Sequence, residues 1–243
     1  MPITAERGYL IPAIGDEYVA CAERLRTSIL EWHPQANITI LTEEQLPNGN
    51  QGGWANDWQV FKASPYRQTI KLEADMICAS PIDHWWTLFE LKDLVISQGC
   101  RDFYDQPGVS RHYRKIFDRN DLPDVYNAVT YWRRSQTAQE FFNLVKDIFQ
   151  NWEQYRGLIK FPEDNPSTDV VYAMVTEIIG PDIVTLPKGF GPQITHMKKH
   201  IIQTKTDNWT RELVWEHVNN NLRIQTIAQH GLVHYHIKDW TCQ

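Results

Sequence analysis

Residues 69–81, TIKLEADMICASP, form an apolar run with two acidic residues one position apart in its middle. The apolar positions predict a buried strand that Pro81 closes. A buried carboxylate without a partner costs several kcal/mol, so Glu73 and Asp75 need one. One possibility is that Lys71 or Arg67 neutralises them. The other is that the strand ends here and both acids bind a cation, since side chains two apart in a strand share a face.

The segments around this run predict an α/β fold with a mostly parallel central sheet flanked by helices. A strand at 8–14, a helix from Glu17 to about 33 and a strand at 36–42 form a βαβ unit, which requires parallel strands. The patterns further along the chain predict helices at 54–64, 137–152 and 167–180 and strands at 93–99, 125–135, 182–187 and 231–237. Ligands of such sheets bind beyond the carboxyl ends of the strands, and two carboxylates there suit a hard divalent cation that holds phosphate oxygens.

The composition is that of an ordinary globular protein, with 42% hydrophobic and 22% charged residues among 243. The net charge of −6 means that any nucleic-acid-binding surface must be local. The four cysteines lie far apart, which predicts neither a zinc site nor a disulfide framework. No signal peptide or membrane-spanning run is apparent, so we expect a cytoplasmic protein, in the host cytoplasm if the protein is viral.

Five segments, in order, resemble the GT-A nucleotide-sugar glycosyltransferases, in particular the retaining, glycogenin-like family. They are AIGDEY, SPYRQTIKLEADMI, VYNAVTYWRRS, EDNPSTDVVYAMV and LVHYHIKDW, and they span about 8–240. The family has SPY…LDADxx, FNSGVxxF, xQDxLN and HFxGxxKPW in this order. The resemblance implies a single GT-A (Rossmann-like) domain over 1–243, a nucleoside-diphosphate sugar, most often a UDP-sugar, Mn²⁺ or Mg²⁺, and retention of configuration.

The resemblance also implies a metal site. The EAD segment stands where the family has DxD, so Asp75 would be a direct metal ligand, and Glu73 would contact the ribose as well as the metal. His234 stands at the family's third ligand position. The spacing from His234 to Lys238 is shorter than the family's, which makes His236 a rival ligand on the same strand face, and His196 is a further alternative.

Other family positions imply the binding of the donor. Lys238 matches the lysine that grips the diphosphate, Asn127 and Ala128 match the segment beneath the sugar, and Asp169, or alternatively Asp164, matches the acid that orients the sugar. The base would meet the backbone of Ala13, Ile14 and Gly15, with Tyr18 nearby. Lys62 and Arg67 would meet the base or the phosphates, unless they only face solvent or pair with Glu73.

The acceptor is expected at an irregular insertion, about 100–123, in which basic and aromatic residues alternate. The candidate acceptor-binding residues are Arg111, Tyr113, Arg114 and Lys115. A second basic stretch covers 188–205. Such stretches suit a phosphate backbone with exposed bases, a nucleotide diphosphate or merely solvent.

We therefore predict transfer to a hydroxymethylated pyrimidine in DNA. A protein or glycan hydroxyl and a catalytically silent sugar- or nucleic-acid-binding module are the alternatives. A nucleotidyltransferase is disfavoured, because PAIGDEY, residues 12–18, lacks the arginine expected after the first strand.

Overall fold

The computed structural model describes residues 2–108, 114–187, 189–192, 194–218, 221–238 and 240, without the side chains of Gly53, Trp54 and Arg114. The strands are β1 (Ala5–Pro12), β2 (Ile38–Leu41), β3 (Tyr66–Leu72), β4 (Met76–Cys78), β5 (Leu94–Gln98), β6 (Val125–Arg133), β7 (Ile194–His196), β8 (Trp215–Val218), β9 (Asn221–Ile224), β10 (Ile227–Ala228) and β11 (Leu232–His234). The α-helices are α1 (Asp16–Trp32), α2 (Val60–Ala63), α3 (His84–Phe89), α4 (Arg114–Arg119), α5 (Gln136–Gln150), α6 (Trp152–Ile159), α7 (Thr168–Ile179), α8 (Pro181–Val184) and α9 (Lys199–Ile202). Short 3₁₀ segments lie at Glu43–Gln45, Gly53–Gln59 and Trp209–Arg211.

The main sheet has the strand order β2-β1-β3-β6-β5. β1 pairs in parallel with β2 and β3, whereas β6 is antiparallel to both β3 and β5. Four strands therefore run in one direction and only β6 opposes them, which confirms the predicted α/β class with a mostly parallel sheet. Because β6 is reversed, its first residues lie beside the end of β3, and the Glu73 amide donates to the carbonyl of Ala128 over 3.1 Å.

A second sheet, in the order β4-β11-β7, carries the chain beyond the acidic residues. β11 is antiparallel to β4 and parallel to β7, so that His234 lies opposite Met76 on one side and His196 on the other. The run 69–81 is thus not one strand but two, β3 and β4, and the EAD segment joins them. The acids lie between the two sheets, where the backbone leaves one ladder for the other.

Helices α1, α5 and α7 bury their apolar stripes in the two cores of the protein. In α5 the buried residues include Phe141, Val145 and Ile148, spaced three and four apart, and Ser135 caps the helix by accepting from the Ala138 amide over 3.2 Å. Each large buried side chain contributes about 1.5–3 kcal/mol. Of these helices, α7 packs against β6, whose first residues lie beside the end of β3. In the described part of the chain, every helix is too short or too polar to cross a membrane.

A further sequence prediction, the strand at 182–187, was wrong. Residues 182–187 do not form a strand, because Gly180 ends α7 and Pro181, at the first helical position, starts α8. The basic stretch 188–205 contains β7 and α9. Residues 54–64 are helical as predicted, first as 3₁₀ and then as α2. The small antiparallel sheet β10-β9-β8 was not predicted.

Candidate functional site

A cavity of about 460 Å³ lies at the end of β3 and the start of β6. Its size is typical of a small-molecule site. The predicted site residues that line it are Ile14, Tyr18, Glu73, Asp75, Asn127, Asp169, His196, His234, His236 and Lys238. Residues that the sequence analysis did not assign to a site, including Asp57, Lys71, Tyr126 and Thr168, also line it. The fold therefore brings segments from 12 to 238 into one cavity.

Asp75 is the centre of a buried group of charges in this cavity. Its side chain is 7% exposed, its Oδ1 lies 3.0 Å from Nε2 of His234, and its Oδ2 bonds to the Lys238 ammonium. Burial raises the pKa of Asp75, but the charges and hydrogen bonds of His234 and Lys238 outweigh it and hold the pKa well below its usual range. Burial lowers the pKa of Lys238, but the charge of Asp75 raises it, and the pKa is raised overall. Asp75 is thus an anion that needs a cation beside it.

Glu73 lies on the other side of the same imidazole. Its Oε2 is 3.3 Å from Nδ1 of His234, and the hydroxyl of Tyr126 bonds to that same nitrogen. Burial raises the pKa of Glu73, while the charges of His234 and Lys71 oppose this shift. About a quarter of the Glu73 side chain (27%) remains exposed, so it can still reach a ligand. The two carboxylates therefore face different nitrogens of His234.

Two further imidazoles stack beside His234. The ring centroids of His234 and His236 are 3.7 Å apart, and those of His196 and His236 are 4.4 Å apart. Burial, followed by the charges of His234 and His196, lowers the pKa of His236 well below its usual range. The structure thus brings all three histidines that the sequence analysis considered to one place.

Asp169 belongs to the cavity and Asp164 does not. Asp169 stands in the first turn of α7, and its Oδ1 accepts from the backbone amide of Asn127 over 2.9 Å. Asp164 is exposed and bonds to Arg156 instead. Of the two acids that the resemblance offered, Asp169 is therefore the one that faces the same space as Asp75.

A buried ion pair that the sequence analysis missed lies deeper in the cavity. Nζ of Lys71, whose side chain is 2% exposed, is 2.7 Å from Oδ1 of Asp57 and donates to Oδ1 of Asn127 over 2.8 Å. The hydroxyl of Tyr172 donates to the second carboxylate oxygen of Asp57. The signal for this pair was a lysine inside an apolar strand, but its carboxylate partner is Asp57 and not the EAD pair.

The first βα turn contributes part of the predicted base-binding segment. Ile14 and Tyr18 line the cavity, and the ring centroid of Tyr18 lies 4.5 Å from Nζ of Lys238. Gly15 precedes α1 with a φ of 92°, which a residue without Cβ adopts easily. The amide of Ala13 donates to the carbonyl of Leu41, so this amide continues the pairing of β1 with β2.

Lys62 and Arg67 are not cavity-lining residues. Lys62 is exposed on α2. Arg67 lies near the start of β3, is 60% exposed, and pairs with Glu6 over 3.2 Å. Because β3 separates Arg67 from the EAD segment, the arginine neither neutralises Glu73 nor contacts the cavity.

The predicted acceptor residues are described only in part. Arg111 and Tyr113 lie outside the described residues, Arg114 begins α4 without a described side chain, and Lys115 is exposed. The start of the insertion, however, is attached to the cavity wall. The amide of His196 donates to the carbonyl of Arg101 over 2.8 Å, which fixes residues 100–108 beside β7.

No protein-family model and no curated protein sequence matches this chain. The apo structure of mouse xyloside xylosyltransferase 1 aligns over 98% of this chain and 100% of its own, with 10% identity and a TM-score of 0.55. A glycosyltransferase involved in the glycosylation of the major capsid of PBCV-1 aligns over 96% of this chain and 93% of its own, with 11% identity and a TM-score of 0.51. The chain spans about half the length (48%) of the Streptococcus pneumoniae glycosyltransferase GlyE, with 11% identity and a TM-score of 0.43. The first two likenesses agree with the sequence motifs: the chain has the GT-A fold of nucleotide-sugar glycosyltransferases.

Proposed function

We propose that this protein is a metal-dependent glycosyltransferase that uses a nucleoside-diphosphate sugar. The observation that carries the proposal is the buried Asp75 carboxylate, which has His234 and Lys238 around it at the end of β3. Ligand sites of open α/β sheets lie beyond such strand ends. An acid, an imidazole and an ammonium at one point suit a cation together with a diphosphate.

The side chains present fit a divalent cation. Asp75 is 7% exposed and remains anionic because cationic groups surround it, so a bound ion would replace part of the charge that Lys238 now supplies. Asp75 and His234 would hold this ion, with Glu73 beside them. When bound, the ion would take up charge on the departing diphosphate.

The remaining residues have distinct tasks in the transfer. Lys238 would leave Asp75 for the diphosphate and stabilise the charge that develops as the bond to the sugar breaks. Asn127 and Asp169 would hold the sugar, because the bond between them fixes the Asp169 carboxylate against β6. Ile14 and Tyr18 would contact the nucleotide, for which we propose a uridine diphosphate. We propose retention of configuration.

The proposed acceptor is a hydroxymethylated pyrimidine in DNA. Support comes from the basic insertion 100–123, whose first part is bonded to β7 next to His196, so an acceptor on it would lie near the donor cavity. A protein or glycan hydroxyl is the alternative acceptor. The negative net charge restricts the DNA footprint to a few phosphates.

Donor binding and hydrolysis test the transferase proposal. The full chain is incubated with UDP-, GDP- and CDP-sugars with and without Mn²⁺, and calorimetry and the release of free sugar are measured. Asp75→Asn should abolish the metal-dependent part of binding, since an amide is neutral. Asp164→Asn is the control, because it also removes one carboxylate but from an exposed position. Metal-dependent binding that survives Asp75→Asn contradicts the proposal, and binding without any turnover favours the silent module.

A salt titration tests the acceptor. DNA affinity should fall steeply as the salt concentration rises. Changing Arg111, Arg114 and Lys115 to Ala should reduce the slope of log affinity against log salt concentration by the equivalent of up to about three phosphate contacts, and donor hydrolysis should be retained. The control replaces Arg26, Lys92 and Arg223, which removes the same number of charges elsewhere. Binding that is insensitive to salt, or an equal loss of donor hydrolysis, would favour a protein or glycan acceptor.

A further inference from the structure

Three histidines meet at the wall of the cavity, and they come from two strands and a turn. His196 ends β7 and His234 ends β11, and the two are paired in register. His236 follows two residues later with a φ of 61°, a left-handed conformation that turns its ring back against His234. One ligand nitrogen from each of the three can be chosen so that all lie within 4.8 Å of one another. This cluster shares His234 with the group that the two acids form around the same ring.

Asp75 is close enough to join the same cluster. Its carboxylate oxygens lie 3.0 Å from Nε2 of His234 and 3.8 Å from Nδ1 of His236. Two ligands at 2.0–2.1 Å from one tetrahedral ion are themselves about 3.3 Å apart. The observed separations are on either side of this value, so small side-chain rotations would bring these three groups onto one ion.

The surroundings of His234 hold it in the orientation that a ligand requires. Its Nδ1 faces Glu73 at 3.3 Å and the Tyr126 hydroxyl, which leaves Nε2 directed at Asp75. A carboxylate on the far nitrogen is the usual arrangement behind a metal-bound imidazole, where it fixes the ring and increases its basicity. Glu73 can therefore act as a positioning residue for His234.

His236 also has spare ligand capacity. Its Nδ1 faces Asp75, while its Nε2 is buried and has no hydrogen-bond partner among the residues that the structure describes, so the ring can present either nitrogen to an ion without breaking a protein hydrogen bond. A histidine with only a packing role usually satisfies a buried ring nitrogen with a protein group.

We propose that His196, His234 and His236, together with Asp75, form a nitrogen-rich site for a borderline transition ion such as Zn²⁺ or Co²⁺. Imidazole donors favour such ions over Mg²⁺. The inference rests on the proposed function and deepens it, because this ion would be the one that Asp75 and His234 hold there, with His196 and His236 as further ligands. Ion binding is measurable without any donor.

The experiment is a titration of the metal-free full-length chain with Co²⁺, followed by visible absorption, and a parallel titration with Mg²⁺ by calorimetry. Each of His196→Gln and His236→Gln should weaken Co²⁺ binding at least about tenfold and change Mg²⁺ binding less. His230→Gln is the control, because His230 is exposed and does not line the cavity. If both cluster variants bind Co²⁺ as the unchanged chain does, the site does not exist.

A second measurement avoids any variant that fails to fold. Pulsed electron paramagnetic resonance of Cu²⁺ bound to the unchanged chain counts the coordinated imidazoles, and we expect more than one. A single imidazole would overturn the proposal. Strong Co²⁺ binding without donor binding would contradict the transferase proposal and support the histidine site. Donor binding with a single coordinated imidazole would support the transferase and contradict the histidine site.

Discussion

Replacing Lys71 with methionine should destabilise the protein strongly, because it breaks a buried ion pair. The ammonium is almost fully buried and bridges Asp57, at 2.7 Å, to Asn127, at 2.8 Å. Methionine fills nearly the same space but leaves the Asp57 carboxylate, 12% exposed, with the Tyr172 hydroxyl as its one remaining side-chain partner among the described residues. Removing one partner of a buried pair costs about 3–5 kcal/mol.

This loss is measurable by urea unfolding and by calorimetry on the metal-free chain. For a chain of this length each kcal/mol lowers the melting temperature by about 2–4 °C, so we expect a decrease of about 6–20 °C. Lys199→Met is the matched control, because Lys199 is 47% exposed and lies 3.4 Å from an Asp207 that is itself 80% exposed. Such a surface pair contributes about 0–1 kcal/mol.

A double variant separates the ion pair from simple packing. If the charges are coupled, Lys71→Met combined with Asp57→Asn should be less destabilised than the sum of the two single variants, since no buried charge remains unpaired. Strict additivity, or a loss below about 1 kcal/mol for Lys71→Met, would refute the reasoning from burial.

Three further outcomes are expected. Lys238→Ala should lower the turnover of donor hydrolysis more than it changes KM, because the ammonium gains most as charge develops on the leaving group; an unchanged kcat would remove Lys238 from the reaction. Asp169→Asn should also lower turnover, but its free energy of unfolding should stay within about 1 kcal/mol of that of the unchanged chain, because the amide oxygen can still accept from Asn127. Normal turnover would show that the carboxylate is not needed. Finally, the pKa of Asp75 is lower in the folded chain, so its stabilising effect is complete above the unfolded pKa and disappears as the pH falls from about 5 towards the folded value. The free energy of unfolding, measured with urea across this range, should depend less steeply on pH in Asp75→Asn than in the unchanged chain. An equal pH dependence would be evidence against the lowered pKa of Asp75.

Local patterns predicted the frame of the fold. Strand β1, helix α1 and strand β2 were recognisable because a change from an apolar run to a 3.6-residue period, and back to a period of two, is encoded in contiguous residues. The same holds for α5 and α7, whose ends are marked by Ser135 and Gly180. These signals fix a parallel βαβ start, and the GT-A class follows from the order of the motifs.

Contacts between distant segments were not predictable in the same way. The pairing of Lys71 with Asp57 depends on a 3₁₀ segment that places the acid against β3, and no period in the sequence encodes that position. Strand β7 has only three residues and is stabilised by pairing with β11, which lies about 40 residues later in the chain. Short strands of this kind have little intrinsic preference, so their structure depends on the tertiary partner.

The three histidines lie together for a different physical reason from the one predicted. Strand alternation was expected to put His234 and His236 on one strand face, but β11 ends at His234. The amide of Tyr235 then donates to the carbonyl of Asp75 over 3.1 Å, so the chain is attached to the EAD segment just where it leaves the ladder. From that point the left-handed turn at His236 directs the second ring back into the cavity, and Lys238 reaches Asp75 from the far side. The main-chain bond, rather than the strand period, therefore sets the distance between the acids and the histidines, and a change at position 73 or 75 that shifts this carbonyl should disturb the histidine cluster as well as the acid pair.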